Sequence, residues 1–141
     1  MRHRLNAVQL GRSSAHRKAL LANLVCQLIA EKRIVTTVVK AKAAGRLADK
    51  MVTLAKQGTL PARRRAIAML RQNERVRTLF DEIAQKCKDR NGGYTRVTKL
   101  GCRRSDSSLM AMLEWVSVAA VDKKKKPAAA GETAPGDSTP K

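Results

Sequence analysis

Residues 109–118 read Leu-Met-Ala-Met-Leu-Glu-Trp-Val-Ser-Val, and Leu109, Ala111, Leu113 and Trp115 alternate there with Met110, Met112 and Val116. Successive side chains of a strand point to opposite faces. A run that is apolar in both registers therefore predicts a strand at the centre of a sheet. Two other segments have strand character. Residues 33–39, Arg-Ile-Val-Thr-Thr-Val-Val, are β-branched almost throughout, and such side chains favour a pleated surface. Residues 94–100 follow Asn91-Gly92-Gly93, a turn that needs positive φ, and a polar loop at 101–108 separates them from the last strand. That arrangement predicts an antiparallel hairpin.

The segments between read as helices. Ser13 or Ser14 is a capping residue for a helix to about Lys32, with the stripe Leu21, Leu24, Val25, Leu28 and Ile29 and with Cys26 beside it. A second runs from about Lys40 to Gln57 and ends at Gly58. Ala44, Leu47, Ala48, Met51, Leu54 and Ala55 lie on its buried face at helical spacing. Gly45 interrupts it at a cost of about 1 kcal/mol relative to Ala, which suits a close backbone contact. Pro61 opens a third helix to about Arg71. Asn73 caps a fourth, whose stripe is Val76, Leu79, Phe80, Ile83 and Cys87.

The expected fold class is α+β: about four helices packed on a small three-stranded mixed sheet, with an extended basic N-terminal arm. With 141 residues, one domain with a real core is the natural division. Residues 1–12 lack apolar periodicity and form the arm, unstructured until bound. Residues 13–121 form the globular domain, and residues 122–141 a disordered Lys/Ala/Pro-rich tail. The apolar run at 19–30 follows basic residues, as a secretory signal does. Asn23 and Gln27 interrupt it at helical spacing and no small-x-small cleavage site follows, so it reads as a core helix.

Charge narrows the partner. The chain carries 30 Lys+Arg against 11 Asp+Glu, a formal net charge of +19. An excess of that size calls for a polyanion. Lipid is the weaker choice, because no stretch approaches the roughly 20 apolar residues of a membrane span. Aromatic residues are limited to Phe80, Tyr94 and Trp115, too few for a platform that stacks successive bases. The partner is expected to be gripped by backbone and shape.

Chemistry is not expected. Cys26, Cys87 and Cys102 are widely spaced, without a C-x-x-C pair, and the two histidines complete no zinc-finger spacing. The cysteines read as free thiols of a reducing compartment. Cys102, next to Arg103 and Arg104, is the one candidate nucleophile, but no His lies near it in sequence. Asn91-Gly92-Gly93-Tyr94 lacks the Lys-Ser/Thr and the following helix of a phosphate-cradling loop.

The basic clusters carry more. Residues 1–18 hold Arg2, His3, Arg4, Arg12, His16, Arg17 and Lys18 and no Asp or Glu. Arg17 and Lys18 fall in a first helical turn, where the macrodipole disfavours cations and attracts phosphate. Arg63, Arg64 and Arg65 fan over more than half of the third helix, so at least two should face solvent or phosphate. Arg71, Arg75 and Arg77 extend this around the next turn. Arg96, Lys99, Arg103 and Arg104 cluster on the hairpin. Solvated faces normally mix acids with bases, yet none lies between Thr59 and Asn73. A DNA-reading helix-turn-helix fits poorly. Its second helix should read bases, but here that helix carries Asp81 and Glu82 while the arginines load the first.

Several segments resemble a known family. Met-Arg-His-Arg at the start, Leu-Gly-Arg-Ser-Ser-Ala-His-Arg at 10–17 and Arg-Ile-Val-Thr-Thr at 33–37 are similar to the bacterial large-subunit ribosomal protein seventeen family. So are Val-Thr-Leu-Ala-Lys at 52–56, Ala-Arg-Arg at 62–64, Leu-Phe-Asp-Glu at 79–82 and Asn-Gly-Gly-Tyr-Thr-Arg at 91–96. The resemblance covers about residues 1–116, in order and at the family's spacing.

It implies a non-catalytic, cofactor-free α+β protein of the cytoplasmic ribosome. Such a protein binds large-subunit ribosomal RNA near the polypeptide exit side and touches neighbouring ribosomal proteins. No small-molecule substrate, membrane insertion or homo-oligomer is expected. By the family's pattern Arg2, His3, Arg4, Arg12, Ser13, His16 and Arg17 form an RNA-inserting arm, and Asn91, Gly92, Gly93, Tyr94 and Arg96 a second contact segment. Leu5-Asn6-Ala7-Val8 is less basic than the family's arm. Gly45 replaces a better helix former, and Ser105 and Leu109 stand where the loop commonly has Gly and Pro. The tail has no counterpart.

Overall fold

The computed structural model describes residues 8–118. Arg2, His3, Arg4 and the tail lie outside that range, as do the arm's first seven residues. The element order is α1 (Ser14–Glu31), β1 (Arg33–Thr37), α2 (Val38–Gln57), α3 (Leu60–Leu70) and α4 (Asn73–Thr78). A π-turn (Leu79–Ile83) then leads into α5 (Ala84–Lys86), followed by β2 (Thr95–Cys102) and β3 (Leu109–Trp115). The expected fourth helix is the continuous rod of α4, π-turn and α5. Its whole predicted stripe, Val76, Leu79, Phe80, Ile83 and Cys87, is buried.

β3 is the central strand, in the order β1-β3-β2. The sheet is antiparallel throughout rather than mixed, with Arg33 opposite Glu114, Val35 opposite Met112 and Thr37 opposite Met110. The cause lies where α1 ends. Lys32 adopts a left-handed conformation (φ 64°), and its N–H donates to the Leu28 carbonyl. The Trp115 indole N–H donates to that same carbonyl at 3.0 Å, and the Trp115 backbone N–H donates to the Lys32 carbonyl at 3.3 Å. The first residues of β1 are thereby fastened beside the last residues of β3, which makes the pair antiparallel.

Helices cover one face of the sheet only. Ala111, Leu113 and Trp115 point into the core, whereas Met110 and Met112 on the opposite face stay half-buried. The strand is central, as its doubly apolar pattern predicts, although its second face is covered only in part. β1 is also shorter than its β-branched run. Thr37 is extended (φ −68°, ψ 147°) and serves as the N-cap of α2, which takes Val38 and Val39 into its first turn. Packing of Val38 on the core overrides strand propensity here.

α2 is the central helix, touching α1, α3, the π-turn and all three strands. Ala41, Ala44, Ala48, Met51, Val52 and Leu54 are buried along it. Gly45 makes the close approach that the sequence suggests: a Cβ there would lie 3.2 Å from Thr95 Oγ1 and 3.6 Å from Leu113 Cδ1. Cys26 and Cys87 are buried in the same core and Cys102 is exposed.

Candidate nucleic-acid interface

The described end of the arm is not extended. Leu10 (φ 56°) and Gly11 (φ 60°) are both left-handed, and the Arg12 N–H donates to the Gln9 carbonyl at 3.2 Å. The Arg12 guanidinium folds back on the Leu10 carbonyl at 2.8 Å, while its Nε is enclosed with no acceptor among the described residues. Two consecutive left-handed residues make a tight turn in front of α1, and this corrects the extended expectation for residues 9–12. Ser13 sits at the N-cap of α1 but makes no side-chain capping bond, and the first turn has no acid. His16 and Lys18 are exposed and Arg17 is half-buried.

On α3 the fan divides by role. Arg63 lies 4.8 Å from the centroid of the Phe80 ring and 4.0 Å from Asp81 Oδ1, so it is engaged within the fold. Arg64 and Arg65 are exposed. Arg71, also exposed, ends α3 in a left-handed conformation (φ 58°), its N–H donating to the Ile67 carbonyl.

Tyr94 needs correction as a contact residue. It is only 4% exposed, and Lys56 stands over its ring at 5.5 Å, so the ring offers no free face to a base. Asn91, Gly92 and Gly93 are exposed. Gly92 (φ 140°) and Gly93 (φ 57°) hold backbone that other residues rarely adopt. The turn is anchored by Lys56 Nζ donating to the Arg90 carbonyl at 2.7 Å and by Arg90 Nε donating to the Gly92 carbonyl at 3.2 Å.

On the hairpin, Arg96 Nη1 faces Glu114 Oε1 across the strands at 3.9 Å. Arg103 is held by both oxygens of Asp106, at 2.9 and 2.6 Å. Asp106 also accepts from the Ser108 hydroxyl at 2.8 Å and the Ser108 N–H at 3.2 Å. These bonds hold its carboxyl well below the usual carboxylate range. The polar loop at the tip is thus a closed turn. Arg104 on this loop and Lys99 on β2 are exposed, with no ion-pair partner among the described residues.

The predicted residues do not form one cluster. Arg17, Lys18 and Arg71 converge on the rim of a groove where α1, α2 and α3 meet. The Asn91-Gly92-Gly93 turn is tied to the far end of α2, and the hairpin tip stands apart. Three further cations, Lys42, Arg46 and Lys50, line that groove from α2. Sequence reasoning passed over them, although their i, i+4, i+8 spacing was visible. The described residues include no group of three or more His, Cys, Asp and Glu that could hold a metal, and none of their helices is long and apolar enough to cross a membrane.

A family model described as Ribosomal protein L17 matches residues 20–116. The chain belongs to the ribosomal protein L17 family. It is accordingly a structural, non-enzymatic protein of the cytoplasmic ribosome. It is similar to the large ribosomal subunit protein bL17 of Akkermansia muciniphila, 46% identical over 95% of this chain and 100% of the relative, a match that reaches into residues 122–141 and so corrects the expectation that the tail has no counterpart. The bL17 of Thermodesulfovibrio yellowstonii is 50% identical over 87% of this chain and 92% of the relative. That of Methylacidiphilum infernorum is 49% identical over 82% and 88%. The resemblance drawn from residues 1–116 and the family assignment agree.

Proposed function

We propose that this L17-family protein is a constituent of the large ribosomal subunit that binds large-subunit ribosomal RNA near the polypeptide exit side, alongside neighbouring ribosomal proteins. The observation that carries the RNA-binding part is how the charges divide. Four of the acids near the basic clusters are committed: Asp81 to Arg63 and Arg77, Glu82 to Lys32, Asp106 to Arg103 and Glu114 to Arg96; Glu74, beside Arg75, is exposed without an ion-pair partner among the described residues. Lys18, Arg64, Arg65, Arg71, Lys99 and Arg104 are exposed and have no ion-pair partner among the described residues. Cations placed in this way neutralise phosphates, and the counterions they release favour binding.

In this reading Arg2, His3, Arg4, Arg12, His16 and Arg17 contact RNA from the N-terminal segment. Arg64, Arg65 and Arg71 act from α3, and Lys99 and Arg104 from the hairpin. The backbone of Asn91, Gly92 and Gly93 approaches RNA closely, since no side chain of the fold lies within 4 Å of where a Cβ would stand at either glycine. Arg63, Arg96 and Arg103 orient the surfaces they belong to. The test is sedimentation of a cell lysate with detection of this chain, joined to binding of ribosomal RNA and duplex DNA at matched salt. The chain is expected in the large-subunit peak, with preference for ribosomal RNA. Absence from that peak, or equal affinity for the two nucleic acids, overturns the proposal.

A further inference from the structure

α1, α2 and α3 do not close on one another along their whole length, and they leave an open groove of about 800 Å³. Leu21, Val39, Leu47 and Met69 contribute its aliphatic surface, and Val39 is 50% and Met69 39% exposed. The charged residues lining it are Arg17, Lys18, Lys42, Arg46, Lys50 and Arg71, with no Asp or Glu among them. Asp49, also on α2, accepts instead from the Thr95 hydroxyl of β2 at 3.2 Å. Val8 lines the groove as well, so the acid-free N-terminal segment joins the fold here.

We propose that this groove is a distinct RNA site that takes a single-stranded segment, its phosphates running along Lys42, Arg46 and Lys50 and an unstacked base lying on the aliphatic floor. The inference rests on the RNA-binding reading above and adds a site and a class of RNA to it. Residues four apart on a helix are about 6 Å apart along its axis, which is the order of the separation between consecutive phosphates of a strand. Like charges at that spacing destabilise a helix when nothing neutralises them. No Asp or Glu lines the groove to do so, and a bound polyanion would relieve the repulsion.

The aliphatic floor selects among polyanions. A duplex seals its bases inside and presents phosphate, sugar and groove edges, leaving the floor without an apolar counterpart. An unpaired strand offers base faces and phosphates together. An acidic amphipathic peptide would match the floor too. It carries its charge along its flanks, whereas the cations of this groove stand on three helices around it. One phosphate per nucleotide meets that distribution better.

The full-length chain is to be titrated with an oligouridylate containing 4-thiouridine, over a range of salt. The comparison is with the exposed-site variant Lys42→Gln/Arg46→Gln/Lys50→Gln, its helix content checked by circular dichroism. Three lost single-strand phosphate contacts should reduce the steepness of log K against log salt by about 2. Photocrosslinks should map to residues 38–50 and 68–71. Val39→Asn, which changes no charge, should weaken oligouridylate binding several-fold while leaving an abasic oligomer of the same length unaffected. An unchanged salt slope in the triple variant, or crosslinks confined to other segments, overturns the inference.

A second variant, Arg2→Gln/Arg4→Gln/Arg64→Gln/Arg65→Gln, separates the two levels. If it loses RNA affinity while the α2 variant does not, the groove inference alone fails. If neither loses affinity, the RNA-binding reading fails as well. A glutamate-rich amphipathic peptide that binds the groove, with RNA affinity intact in the α2 variant, assigns the groove to protein and also overturns the inference.

Discussion

The Lys32 ammonium lies 3.0 Å from Glu82 Oε2, joining the left-handed residue that ends α1 to the π-turn that follows α4. The Lys32 side chain is 10% exposed and that of Glu82 55%. The burden of this pair therefore falls on the lysine, which depends on the carboxylate as its fixed partner. A π-turn adds a residue to one turn of a helix. Here that turn carries both Asp81 and Glu82, which reach Arg63 and Arg77 on one side and Lys32 on the other.

Glu82→Ala should destabilise the fold by about 1 kcal/mol, the lower end of the cost of stranding a buried polar group, because water reaches the site. Asp81→Ala, which frees only exposed guanidinium groups, should stay within about 0.5 kcal/mol. Adding Lys32→Met to Glu82→Ala should recover most of the loss. Urea midpoints at constant m measure all three. Equal effects of the two single substitutions would contradict the burial argument.

Gly45→Ala sets helix propensity against contact. Alanine is worth about 1 kcal/mol over glycine inside a helix, but its Cβ would stand 3.2 Å from Thr95 Oγ1. That hydroxyl is held by its bond to Asp49 Oδ1 at 3.2 Å and cannot turn away without losing it. The substitution should be neutral to destabilising by about 1 kcal/mol, within the usual cost of overpacking. In a Thr95→Ala background it should become stabilising. A double-mutant cycle reads this change of sign, and an identical effect in both backgrounds would remove the steric argument.

Arg63 and its neighbours should separate by assay. Arg63→Gln removes a guanidinium from the Phe80 face and should lower stability by about 0.5–1 kcal/mol, with little change in the salt dependence of RNA binding. Arg64→Gln and Arg65→Gln should leave stability within about 0.5 kcal/mol. Each should reduce the steepness of log K against log salt by about 0.7–0.9. The reverse pattern would mean that Arg63 is the RNA contact.

Acid should leave the hairpin tip intact longer than the rest of the surface. The Asp106 carboxyl is depressed from its ordinary value of 3.8, first by its hydrogen bond with Arg103 and then by those with Ser108. For a depressed carboxyl, the stabilisation is present above the ordinary value and is lost as pH falls through the folded one. The Ser108 amide should therefore remain protected from exchange at pH values where other exposed carboxyls have already taken up protons. Asp106→Ala, which removes the acceptor of the Ser108 N–H, should abolish that protection near neutrality. An NMR titration of the carboxyl and of the Ser108 amide tests both statements.

Thiol reagents should count one reactive cysteine in the folded chain and three after denaturation. Burial raises the thiols of Cys26 and Cys87 above their ordinary value of 9.0, so both stay neutral to higher pH than a free thiol would. Cys102 is exposed. Fast labelling of two or more sites under native conditions would contradict the packing of the core.

The elements were legible where periodicity carried them. The stripe from Val76 to Cys87 announced a buried helix face, and the doubly apolar run at 109–118 announced the central strand. Other features depend on what lies next to a residue rather than on its order in the chain. Met110 and Met112 are as apolar as Leu113, and only the one-sided placement of the helices leaves them half-exposed. Tyr94 reads as a contact until its ring is seen packed beneath Lys56. Lys42, Arg46 and Lys50 look like an ordinary solvated helix face, and become the lining of a groove only when α1 and α3 flank them.

The position of β3 also sets a timetable. The strand at the centre of the sheet is the last of the three to be synthesised, and among the described residues neither β1 nor β2 has any other strand to pair with. At about 5–20 residues per second, the chain from Thr37 to Trp115 takes roughly 4–16 s to emerge. During that interval β1 waits with open edges while α2 and the elements after it are added to a finished α1. The basic helices precede the sheet in time, so their cations are on the chain while half of its fold is still unmade.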